Sequence, residues 1–260
     1  MDKLSIVKIG GNIIEDNEQL GKFLTAFTKI EGGKVLVHGG GNRATILAKK
    51  LGVPTKIVDG RRITDEDNLE ITTMIYGGKI NKNMVAQLQA IGCNAIGLSG
   101  ADGNAIQAIK RPVKEVDFGY VGDITGINTS FFKLLLQAQY VPVCCAITHD
   151  QKGQLLNTNA DTIAASLARS LSKFFNVALY YCLEIPGVLK NINDKESLIG
   201  EITPNIYNEL KSNNLIHSGM IPKIDNCFEA LYNGVSQVKI GSAQMISGNT
   251  KYTKLILDDE

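Results

Sequence analysis

The sequence predicts an α/β chain, with helices layered on a mostly parallel sheet and small β-hairpins set beside it. Apolar runs of strand length alternate with helix-length stretches along the 260 residues. The runs are nearly continuous in Val, Ile and Leu, as strands covered on both faces require. Small or polar clusters, "KIGG", "HGGG", "LSGADG" and "LEIPG", close four of them, where an open α/β sheet keeps its ligand crevice.

Taken in order, "LSIVKI" reads as a strand and Glu15–Ile30 as a helix. "KVLVHG" is the next strand, ending in Gly39, Gly40 and Gly41, with a helix from about Asn42 to Leu51. A long helix is expected over Asp65–Ile91, then the strand "NAIGLS". The stretch from Gly103 to Gly126 alternates and is rich in glycine, which predicts β-hairpins. "YVPVCCAI", "VALYYCL", "GVSQVKIG" and "YTKLILD" supply the remaining strands. Character shifts near Phe174–Val177, so 1–174 and 175–260 are expected as an N-terminal and a C-terminal lobe on one continuous sheet.

A formal net charge of +1 argues against nucleic acid as the main partner, whose binders carry a basic excess. No apolar run is long enough to cross a bilayer, and "MDKLSIVKIGG" lacks the apolar segment of a secretion signal, so a cytoplasmic protein without a membrane partner is expected. The five cysteines include no C-x-x-C and read as buried free thiols; three histidines add little toward a zinc site.

The motifs carry the chemistry. Three glycines after a buried strand, opening into a helix, bare backbone N–H groups at a helix N-terminus: a seat for an anion, or a plain strand–helix turn. Neither G-x-x-x-x-G-K-[ST] nor G-x-G-x-x-G is present. Lys8 before Gly10 and Gly11 is either a second phosphate contact or a lysine reaching to the surface. Arg61 and Arg62 either grip a carboxylate in two parallel hydrogen bonds or pair with Asp65, Glu66 and Asp67; Thr64 is the expected cap of that helix. Asn157, Asn159 and Asp161 crowd the start of a helix beyond what capping requires. Lys223 begins another helix, an end where a cation is not favoured unless an anion is close.

In sequence order, "KIGG" at Lys8–Gly11, "HGGG" at His38–Gly41, "GRRIT" at Gly60–Thr64, "NTNAD" at Asn157–Asp161 and "GMIPK" at Gly219–Lys223 resemble the amino-acid kinase family, over nearly the whole chain. The resemblance implies a three-layer αβα fold on an open, mostly parallel sheet. It implies phosphoryl transfer from ATP, carried with Mg²⁺, to the γ-carboxylate of an N-acyl-L-glutamate on the acylated route to arginine. The acyl group is acetyl in the first reading and succinyl in the second, with Lys110, Arg111 and Lys114 as cations for a second carboxylate. A non-catalytic sensor of nucleotide or amino acid is the reading from another class. The resemblance assigns Lys8 and Lys223 to the transferring phosphoryl group and Asp161 to holding both. It gives Gly10, Gly11 and Gly39 to phosphate, Gly40, Gly41, Arg62 and Asn157 to the acyl-glutamate, and no metal ligand to the protein. The nucleotide falls to the C-terminal lobe at Glu184, Gly187, Leu189 and His217, although "LEIPG" departs from the family's Ser-Asp-Val-x-Gly. With seven residues ahead of Lys8, the resemblance further implies a homodimer insensitive to arginine.

Overall fold

The computed structural model describes residues 1–58, 60–213, 215–216, 220–248 and 250–258. In chain order the strands are β1 (Lys3–Ile9), β2 (Gly33–His38), β3 (Ile57–Val58), β4 (Arg61–Arg62), β5 (Ala95–Leu98), β6 (Ile106–Lys110) and β7 (Gly122–Ile127). Then come β8 (Val141–Cys145), β9 (Ile147–His149), β10 (Leu155–Asn157), β11 (Asn176–Leu183), β12 (Glu201–Ile202), β13 (Gln237–Ser242) and β14 (Thr253–Leu255). The α-helices are α1 (Gly11–Glu15), α2 (Asn17–Thr28), α3 (Gly41–Leu51), α4 (Glu66–Thr73), α5 (Asn81–Ala90), α6 (Thr129–Gln137), α7 (Ala160–Leu171), α8 (Pro204–Ser212) and α9 (Ile221–Tyr232).

Eight strands form one sheet in the order β12-β14-β13-β11-β1-β2-β8-β5. Every pairing in it is parallel except β13 with β14. Leu4, Ile6, Val7 and Ile9 of β1 are all buried, as a strand covered on both faces requires. The chain leaves β1 toward β2 on one side and returns as β11 on the other. That reversal of strand order opens a crevice beyond the carboxyl ends of β1, β2 and β11. All strands from β11 onward stand on one side of β1. Helix α7 packs on β1, β2 and β11, its face of Ile163, Ala164, Leu167, Ala168 and Leu171 fully buried.

The glycine-rich stretch forms antiparallel β6 and β7, which join β9 and β10 in a second sheet of order β10-β9-β6-β7. "YVPVCCAI" thus divides between the two sheets, β8 in the large one and β9 in the small one. A two-stranded ribbon of β3 and β4 carries Arg61 and Arg62. All five cysteines are free and buried. Among the described residues, no helix is long and apolar enough to cross a membrane.

Three expected elements differ in detail. The helix expected at Glu15–Ile30 is two helices, because Asp16 is extended and its carboxylate accepts the Glu18 and Gln19 N–H groups at 2.9 and 3.0 Å, an N-cap in mid-segment. The helix expected at Asp65–Ile91 contains a π-helical stretch, Met74–Ile80, between α4 and α5. It is capped by Asp65, whose carboxylate accepts the Asn68 N–H at 2.9 Å. Thr64 is instead fully buried, its hydroxyl donating to the Arg62 carbonyl and accepting from Asn157 Nδ2.

Candidate active site

Lys8 stands near the carboxyl end of β1 and Asp161 in the first turn of α7, where a carboxylate suits the helix dipole. Lys223 comes from the first turn of α9. The Asp161 carboxylate takes the Lys8 ammonium on Oδ1 at 2.8 Å and the Lys223 ammonium on Oδ2 at 2.5 Å. Burial alone would raise this carboxyl; the two ammonium groups outweigh burial and hold it well below the ordinary range. The Tyr181 hydroxyl donates to the Asp161 carbonyl at 3.2 Å, and its ring faces the Lys223 ammonium at 4.9 Å. Two cations are thereby fixed around one anion, with a net positive charge at the mouth of a crevice.

That crevice is a cavity of about 460 Å³. Lys8, Gly11, Gly39, Gly40, Gly41, Arg62, Asn157 and Asp161 all line it, and Lys223, which does not, is tied to that wall through Asp161. Gly40 precedes α3, and no side chain caps that helix, so its first N–H groups are free for a ligand. Gly10 differs: its N–H is donated to the Cys182 carbonyl at 3.0 Å, tying β1 to β11, so it has no donor left for phosphate.

Arg62 is buried, and its four Nη protons are all committed: Nη1 donates to Thr55 Oγ1 and Asn68 Oδ1, Nη2 to the Gly41 carbonyl and Thr45 Oγ1. Every one of those acceptors is uncharged. No ion pair joins Arg62 to a carboxylate among the described residues, so Arg62 does not pair with Asp65, Glu66 or Asp67. Arg62 Nε is buried without a hydrogen-bond partner among the described residues. A buried guanidinium without a carboxylate partner among the described residues, on a residue that lines the cavity, calls for an anion. Asn157 shares the wall, its Nδ2 donating to Thr64 Oγ1 at 3.0 Å.

His38 sets the glycine loop from beneath. It is fully buried, with Nδ1 2.8 Å from the Gly39 carbonyl and Nε2 3.1 Å from Asn81 Nδ2. A carbonyl can only accept, so Nδ1 carries the proton and Nε2 accepts from Asn81. Burial pushes this imidazole down to about 4, against the pull of the Gly39 carbonyl. The unfolded imidazole takes its proton near the ordinary value of 6.5 and the folded one does not until about 4. The stability it contributes is therefore complete above pH 6.5 and is lost as pH falls toward 4, about 3 kcal/mol over the window. Urea melts at pH 7 and pH 4.5 should show most of that loss, and His38→Gln should flatten the slope; an unchanged slope would refute it. Asp161 enters only below its ordinary 3.8, so the two contributions separate in pH.

A second cavity, of about 1140 Å³, is lined by Leu183, Glu184, Pro186, Lys195, Tyr252 and Lys254 among others. Asn12 lines both cavities and so marks where they meet. Glu184 is in this wall as the sequence expects. Gly187 is not; a Cβ there would stand 2.5 Å from Thr253 Oγ1, so the glycine serves close packing. Leu189 is buried and bridges to Leu198, so it is a packing residue and not a wall. Leu215 and Ile216 line neither cavity, and His217 lies outside the described residues. Tyr76 and Asp123 line the first cavity without having been singled out for it; of the three cations expected for a second carboxylate, Arg111 lines it and Lys110 and Lys114 do not. Arg111 was noted as a cation, but its bidentate partner lies across β6 and β7, a pairing that sequence separation hides.

The amino acid kinase family model matches residues 3–242. A protein of Phocaeicola vulgatus named acetylglutamate kinase is 52% identical over 246 residues, covering 95% of this chain and 96% of its own length. One of the same name from Bacteroides thetaiotaomicron is 50% identical over 248 residues, covering 95% and 96%. Carbamate kinase from Giardia lamblia, solved with AMP-PNP, is 14% identical, covers 99% of each chain and has a TM-score of 0.71, a likeness of fold.

Proposed function

The chain belongs to the amino acid kinase family, phosphotransferases that use ATP, and we propose that it phosphorylates the γ-carboxylate of N-acetyl-L-glutamate, yielding the acyl phosphate and ADP on the route to arginine. The observation that carries this reading is Asp161 held between Lys8 and Lys223 at the rim of a glycine-lined cavity. The γ-carboxylate attacks the γ-phosphorus of ATP, and no protein group becomes covalently attached. Catalysis is positioning plus charge neutralisation. The free N–H groups at the start of α3 receive the attacking carboxylate. Arg62 Nε and Asn157 receive the α-carboxylate. Lys8 and Lys223 offset the charge that grows on the transferring phosphoryl oxygens, and Asp161 keeps both ammonium groups from closing on the substrate before transfer.

The second cavity takes the nucleotide, with Tyr252 as the aromatic side chain in its wall and Asn12 where the phosphates pass to the first. ATP enters as its Mg²⁺ complex. Both Asp161 oxygens are engaged by ammonium groups, so this carboxylate would not hold the ion, which would supply charge neutralisation at the phosphates that carry it. Residues 1–174 act as the acyl-glutamate lobe and 175–260 as the nucleotide lobe. The cytoplasm suits a chain whose five thiols are all free. Exposed Ile46, Leu51 and Met74 are in keeping with a homodimer, which sedimentation at several concentrations would test.

The second reading is the same chemistry on N-succinyl-L-glutamate, and Arg111 in the cavity wall is what favours it. Arg111 Nη2 and Nε already hold Asp123, at 2.6 and 3.1 Å. A neutral acetyl group fits that closed pair as it stands, whereas a succinyl carboxylate must displace Asp123. ADP release with Mg-ATP and N-acetylglutamate, N-succinylglutamate, glutamate or aspartate decides. Turnover with the acetyl compound and not the free amino acids is expected; preference for the succinyl compound replaces the first reading with the second; silence on all four ends both.

A further inference from the structure

The π-helical stretch Met74–Ile80 has a consequence for the site. In a regular α-helix each N–H reaches the fourth residue back; here it reaches the fifth, and the wider turn changes which side chains face inward. Tyr76 is one of them. It is 5% exposed, and what remains exposed belongs to the cavity wall. Its ring lies against Gly40, where a Cβ would stand 3.1 and 3.2 Å from two ring carbons. Its hydroxyl reaches Gly41, where a Cβ would stand 3.8 Å from the oxygen. The Gly41 carbonyl is the one that accepts from Arg62 Nη2. The Arg62 guanidinium is also close enough to act on the phenol, while burial keeps that phenol protonated.

Arg62 Nε–H has no acceptor among the described residues, and where the guanidinium hydrogen-bonds the Tyr76 oxygen it can only donate, which leaves the phenol its own proton to give. Resting on the kinase reading above, we propose that the Tyr76 hydroxyl is a substrate-binding group, donating to the carboxylate that Arg62 receives and so selecting the amino-acid substrate. The arrangement explains why Arg62 tolerates four uncharged acceptors. Its charge is left for the ligand, and the phenol adds a second, directional donor beside it. A hydrogen bond to a charged group contributes more than one between neutral groups, so its loss is measurable in affinity.

Tyr76→Phe removes the hydroxyl and keeps the ring against Gly40. With saturating Mg-ATP, the KM for N-acetylglutamate should rise about tenfold or more. The kcat and the KM for ATP should stay within about threefold, and the thermal midpoint should not move. Calorimetric titration of N-acetylglutamate without ATP should show the same loss of affinity. Wild-type KM and affinity in Tyr76→Phe would overturn the inference, as would a fall in kcat with KM unchanged. These results are distinct from failure of the kinase reading itself, in which the wild-type protein neither turns over nor binds N-acetylglutamate.

Discussion

Lys8→Ala and Lys223→Ala should each lower kcat by about 10²- to 10⁴-fold, with the fold intact. The two ammonium groups sit on opposite oxygens of Asp161, so removing either leaves the carboxylate with one partner. That keeps the ground-state cost small. In the transition state the balance differs. Charge spreads over three phosphoryl oxygens in a partly dry site, and each missing cation is felt there in full. Asp161→Ala is the contrasting case. It leaves two ammonium groups facing each other with side chains 14% and 17% exposed, and removes the one group that separates them. Activity and stability should then fall together. ADP release and urea melts on the three variants separate these outcomes. If either lysine variant keeps kcat within tenfold of wild type, the phosphoryl clamp is wrongly assigned.

The sequence makes the halves of this clamp legible, because they sit where apolar strand runs stop. Lys8 and the glycines after it end "LSIVKI", and Gly39–Gly41 end "KVLVHG". A buried parallel strand needs no polar residue there, so polar or bare residues at that end point to the crevice. Asp161 stood out because three capping-type residues occupy one helix start, and the structure uses Asn159 as the cap, its Oδ1 accepting the Thr162 N–H. What stayed hidden depends on partners far along the chain. Gly10 looks like its neighbour Gly11 until Cys182 takes its N–H. Leu189 looks like a loop residue near the nucleotide until Leu198 pairs with it. Tyr76 reads as one more apolar residue of a helix, since α and π turns draw on the same side-chain preferences and are told apart by tertiary packing.

Gly40→Ala should disable the enzyme as thoroughly as loss of a lysine, by a different route. Gly40 has φ +152°, a conformation that costs an L side chain about 1–3 kcal/mol. Its Cβ would also stand 2.2 Å from Ile80 Cδ1 and 3.1 Å from the Tyr76 ring. Ile80 is buried and closes the π-helical stretch, so it has little room to withdraw. The loop must therefore lift, carrying with it the start of α3 and the Gly41 carbonyl that positions Arg62. A displacement of about 1 Å at such a site costs about 10²-fold in rate. The expected result is a fall in kcat/KM of at least that size with a lowered urea midpoint. Gly40→Ala combined with Ile80→Ala separates sterics from backbone strain. Removing Cδ1 should return part of the rate lost by Gly40→Ala alone, a non-additive pair in contact. Full activity in Gly40→Ala would mean that the loop does not hold the reacting carboxylate, and additive losses in the pair would leave the backbone conformation, and not the contact with Ile80, as the reason a glycine stands there.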